Sequence, residues 1–167
     1  ARNEPVDEAK FVVARSLSND GRIGRVLDSQ GMVMLRPVMR SRWTPIARQM
    51  LIRPGDWLRT DVRGANAVAV AMTSQFKVIA GPGSLVEIQN PRQVLLHGGE
   101  VQISGSEHAE EELTLLAPNE QKVVLKAGES GLFRLLADRT LRKIEKKPVW
   151  LAGFEGSSNE ESIGSLI

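Results

Sequence analysis

The residues of this chain that could do chemistry are few: two histidines, two aspartates close together, and a run of arginines. His97 and His108 have a separation that fits no compact metal motif. His97 precedes Gly98-Gly99 and reads as a turn residue. Asp56 and Asp61 straddle a predicted strand and point to opposite faces. They therefore do not make the paired carboxylates of a glycosidase. There is no Gly-x-Ser-x-Gly elbow and no Gly-x-x-x-x-Gly-Lys phosphate loop. Gly81-Pro82-Gly83-Ser84 is glycine-rich, but Pro82 lacks the amide donor that an anion cradle needs. The absence of cysteine removes disulfides, thiolate metal sites and Cys nucleophiles together. The expectation is a protein that is not an enzyme and has no cofactor or metal.

Binding chemistry has more support. Seven arginines lie between Arg36 and Arg63, against only Asp56 and Asp61, and Trp43 is embedded among them. Arg with Trp is the composition of interface hot spots. It also suits a polyanion such as an acidic glycan. The candidate binding residues are Arg40, Arg42, Trp43 and Arg48. The competing reading is a solvated arginine-rich hairpin. The whole chain carries only +2 at pH 7, so no nucleic-acid partner is expected.

These residues need elements to hold them. Pro54 sets φ near −65° and Gly55 can take φ > 0, which suits the central positions of a type II turn. Asp56 follows, where its carboxylate can accept turn N–H groups. Pro54, Gly55 and Asp56 are thus read as a structural turn, with Trp57, Leu58 and Thr60 continuing as strand. Pro37 and Pro45 both disfavour a long central strand, so the segment 36–48 is predicted to be a hairpin arm.

The rest of the chain supplies the frame. Hydrophobic residues are 41% but aromatics only 4%, so the core must be aliphatic. Short apolar runs occur at 23–27, 32–35, 57–62, 67–72, 76–79, 85–88, 94–96, 101–103, 113–116, 123–125 and 132–135. Turn residues break them at about ten-residue spacing, which is the mark of an all-β sandwich or barrel. In Ala67-Val68-Ala69-Val70-Ala71-Met72 the valines and Met72 share one face and the alanines the other, and neither face is polar. That strand must be buried on both sides or lie under another layer. The fold expected is an antiparallel β-sandwich or roll of many short strands, with solenoid-like stacking as the alternative. The divisions are an N-terminal extension (1–20), an all-β domain (21–147) and a linker (148–167) whose aromatics dock on the domain or on a neighbour. The basic stretch 139–148 closes the β region, and Glu107 to Glu112 reads as a solvated acidic loop. The chain opens on Ala1, and no apolar run reaches the ~18 residues of a membrane span. It is expected to be part of a longer protein, anchored through segments outside it.

The order of these motifs resembles FecR-like extracytoplasmic domains over roughly residues 20–145. The steps are Gly24-Arg25-Val26, Trp43-Thr44-Pro45-Ile46, Leu51, and Gly55-Asp56-Trp57-Leu58-Arg59-Thr60. Ala67-Val68-Ala69-Val70, Gly99-Glu100-Val101 and Gly131-Leu132-Phe133-Arg134-Leu135 follow. Thr73-Ser74-Gln75 departs from the acidic-Gly-Ser turn frequent in that family. Trp150-Leu151-Ala152-Gly153-Phe154 with Glu161 to Leu166 is similar to the segment joining such a domain to a VIT (vault, inter-alpha-trypsin) domain in large bacterial envelope proteins. The resemblance implies a periplasmic or cell-surface module for envelope sensing or signal transduction. Its partner would be an envelope protein or a neighbouring domain of the same chain. The alternative is a structural scaffold module.

Overall fold

The computed structural model describes residues 21–154. The predicted N-terminal extension, 1–20, and the part of the predicted linker beyond Phe154 lie outside the described residues. The described residues form two seven-stranded sheets. Sheet A runs in the order β14 (Leu141–Ile144), β13 (Ser130–Leu135), β10 (Glu100–Gly105), β7 (Phe76–Ala80), β6 (Ala67–Met72), β1 (Gly24–Gln30), β4 (Leu51–Ile52). Sheet B runs β12 (Lys122–Leu125), β11 (Leu113–Leu116), β9 (Gln93–Gly98), β8 (Leu85–Asn90), β5 (Asp56–Thr60), β2 (Val33–Arg36), β3 (Thr44–Pro45). Neighbours are antiparallel except for β9 and β11, which pair in parallel. The architecture is an all-β sandwich and not a solenoid, because both sheets contribute to one shared core.

Strand alternation builds that core. Val26, Val68, Val70, Val78, Val101 and Ile103 from sheet A meet Val33, Leu35, Leu58, Val86, Ile88, Val94 and Leu96 from sheet B. Phe76 and Phe133 are the aromatics among its fully enclosed residues, and the remainder is aliphatic, as the composition requires. β6 sends Val68, Val70 and Met72 into this core. Its alanines face the other way, and Ala67 and Ala69 enter a second cluster with Ile79, Leu132, Trp150, Leu151 and Phe154. Trp150, Leu151 and Phe154 belong to α1, a short helix over 149–154. The aromatics after Pro148 therefore dock on the domain's own sheet A, and small side chains let the helix sit close to the strands.

The Pro54–Gly55 turn has the geometry that its residues ask for. Gly55 has φ +91. The Asp56 N–H donates to the Arg53 carbonyl at 3.1 Å, closing the turn. The Asp56 carboxylate accepts the Arg53 N–H at 2.8 Å through Oδ2 and the Val38 N–H at 3.0 Å through Oδ1. This buried side chain thus ties the turn to the β2–β3 arm. A Cβ on Gly55 would stand 2.6 Å from Val38 Cγ2, so alanine there meets both an unfavourable φ and a clash. Gly55→Ala is expected to destabilise the domain by about 1–2 kcal/mol, read from urea unfolding. A neutral result would place Gly55 outside the left-handed region.

Three strands lie outside the apolar runs of the sequence. β3 and β4 are two residues each. β14 occupies the basic stretch, with Leu141 in the main core and Ile144 against the second cluster. Thr73-Ser74-Gln75 closes the β6–β7 hairpin with Gln75 at φ +72, a conformation that glycine more often supplies.

Candidate interaction face

Among the described residues nothing covers the outer face of sheet B. Alternation that buries Val33, Leu35, Leu58, Val86 and Ile88 turns Met34, Arg36, Trp57, Arg59, Leu85 and Glu87 outward. The register places Arg36 beside Trp57 and Trp57 beside Glu87, so one row crosses three strands. Thr44 pairs with Leu35, which brings Trp43 to the end of that row next to Arg36.

The side chains along this row stack. Arg59 Cζ lies 4.4 Å from the Trp43 ring centroid. Arg36 Cζ lies 5.4 Å from the Trp43 centroid and 5.0 Å from that of Trp57. The Trp57 and His97 rings stack at 4.4 Å with 19° between their planes, meeting across β8. His97 Nε2 is 3.2 Å from Glu87 Oε1. A cation over an indole face is attracted by the ring quadrupole, by about 0.5–2 kcal/mol according to desolvation. These contacts fix guanidinium groups that would otherwise sample many rotamers.

The arm carries the sequence-predicted binding residues, but not in one cluster. Trp43 is partly buried at its base under Arg36 and Arg59. Arg40 and Arg42 are exposed between β2 and β3, beside Val38 and Met39, which are 44% and 95% exposed. Arg48 lies past β3, where its Nε–H donates to the Leu27 carbonyl at 3.3 Å, against the strand β1 of the other sheet. The residues that meet Trp43 are thus Arg36 and Arg59, members of the arginine run outside the predicted set. His97 departs from the turn position that its following glycines suggest. It belongs to β9, and the turn falls to Gly99 at φ +82.

Among the described residues no group of three or more His, Asp or Glu could hold a metal ion. Asp138 is held below the ordinary carboxylate range by hydrogen bonds from the Thr140 hydroxyl and then its backbone N–H, but it sits in the β13–β14 turn of the other sheet. No helix among the described residues is long and apolar enough to cross a membrane. Family models, curated proteins and solved structures give no match to the chain.

Proposed function

We propose that this chain is a non-enzymatic extracytoplasmic interaction domain of the FecR-like kind, acting in envelope sensing or signalling, and that it meets its partner through the outer face of sheet B. One asymmetry carries the reading. The outer face of sheet A is covered over Ala67, Ala69, Ile79 and Leu132 by the chain's own helix, whereas that of sheet B presents a stacked Arg–Trp–His row with nothing over it among the described residues. Rigid aromatic and arginine groups held in place before binding are what hot spots are made of. The arm adds an apolar tip, Val38 and Met39, between cationic shoulders. The partner is an envelope protein or a neighbouring domain of the same chain.

The test places a photocrosslinking residue at Arg42 on the arm or at Val149 on the helix side, in the full protein within its native envelope. Val149 is 90% exposed, so both positions are reachable. A discrete crosslinked species from position 42 and none from position 149 is the expected result. Its yield should fall in a Trp43→Ala background, where a hot-spot loss of about 2 kcal/mol weakens Kd roughly thirtyfold. Equal labelling from both positions, or none from position 42, would remove the reading.

A further inference from the structure

The row on sheet B contains two cations that no carboxylate among the described residues neutralises. Ion pairs among the described residues join Arg92 to Glu111 and Arg134 to Glu100, and Glu87 lies against the His97 imidazole. No carboxylate pairs with Arg36 or Arg59 in the described structure. Both guanidinium groups nevertheless have defined positions, because the same indole, that of Trp43, holds them. A guanidinium lying over a ring uses its face for the contact and keeps its N–H donors at the edge, where they match planar oxyanions two at a time. Like charges gathered near one ring repel, and an anion between them relieves that repulsion.

We infer that Arg36 and Arg59, set by Trp43, form a binding site for the carboxylate or sulfate groups of an acidic glycan. The inference rests on the interaction face proposed above and adds to its protein partner a second ligand, an acidic glycan. Three further features favour a saccharide over an acidic peptide. The edge strand β3 is only two residues long and includes Pro45, which has no N–H, so an incoming peptide strand finds a poor edge to pair with. The outer face also carries Leu85 and Leu95, partly exposed, whose apolar surface suits pyranose C–H groups. Glu87, beside His97 at the far end, can accept hydrogen bonds from sugar hydroxyls.

The experiment is a titration of the domain with polygalacturonate, dextran sulfate, neutral dextran, poly-glutamate and anionic lipid vesicles, followed by tryptophan fluorescence. Trp43 and Trp57 lie in the site, while Trp150 is buried under the other sheet and gives a constant background. Saturable binding of the two acidic polysaccharides, with no response to neutral dextran, is expected. Raising salt from low to physiological strength should weaken it several-fold, because exposed charges are screened. An Arg36→Gln/Arg59→Gln variant should bind at least tenfold more weakly, and an Arg40→Gln/Arg42→Gln variant of the same net charge should lose much less. An Arg36→Lys/Arg59→Lys variant keeps charge but loses the planar fork, and should follow the first pair. Melting curves check that each variant is folded. Equal losses from both arginine pairs would reduce the effect to general charge and overturn the site. Equal binding of poly-glutamate or of vesicles would overturn the glycan assignment. If crosslinking from position 42 succeeds while every polysaccharide fails, the face stands and the ligand class falls. If both fail, both readings fall.

Discussion

Trp150→Ala is expected to cost about 3–5 kcal/mol, the range for removing a large buried aromatic. In a domain of this size that lowers Tm by roughly 10 °C. The indole is 9% exposed and roofs the alanine face of β6 together with Leu151 and Phe154. It also lies directly on the backbone of Gly81: a Cβ there would stand 2.3 Å from Trp150 Cζ2. Gly81 is not at positive φ, so its role is space and not backbone freedom. Gly81→Ala should therefore destabilise in the wild-type background and much less once Trp150 is gone. A double-mutant cycle from denaturant unfolding measures that coupling. One feature moderates the loss. The Trp150 Nε1–H is buried with no hydrogen-bond partner among the described residues, and an unpaired buried donor is costly. Trp150→Phe, which removes that donor but keeps a ring, should cost clearly less than Trp150→Ala. Additive behaviour in the cycle, or an unchanged Tm for Trp150→Ala, would mean that the helix does not rest on sheet A in solution.

What the sequence made legible follows from the range of the physics involved. The eleven apolar runs marked strands because alternation is a local signal, and each of the eleven overlaps a strand. The two-faced pattern of 67–72 announced a covering layer, and that layer is α1. The Pro54–Gly55 pair specified its own turn because φ preferences belong to single residues. The strands β3 and β4 were hidden because two residues show no period. β14 was hidden because its charged neighbours mask the two apolar positions that pack. The candidate site was legible as a composition, arginines with a tryptophan, but not as a geometry. Which arginines meet Trp43 depends on the pairing of β2 with β3 and β5, a non-local register. The contact of Trp57 with His97 spans forty residues of sequence and two strand spacings of the sheet, and the glycines after His97 pointed to a turn instead.

Val70→Asp should leave no folded protein. Val70 is 0% exposed at the middle of β6, between Val26 on β1 and Val78 on β7. The cluster around it is entirely apolar, so a carboxylate there has no cation and no donor to meet. Burying such a charge costs several kcal/mol or forces protonation at a similar cost. A domain whose total stability is of the order of 5–15 kcal/mol cannot absorb that and the loss of packing together. Val70→Ala, which deletes two methyl groups without adding polarity, should cost only about 2 kcal/mol and remain folded. The informative partner is Ala69→Asp, one residue away on the opposite face. In a bare sandwich that face would meet water and the change would be mild. With α1 in place Ala69 is 3% exposed, and the carboxylate is driven into the cluster of Trp150, Leu151 and Phe154. Both aspartates should therefore abolish the strand-type circular dichroism and the cooperative melt. A folded Ala69→Asp beside an unfolded Val70→Asp would show that only one side of β6 is covered. Sheet A would then be open like sheet B, and the asymmetry that singles out the Trp43 face would be lost.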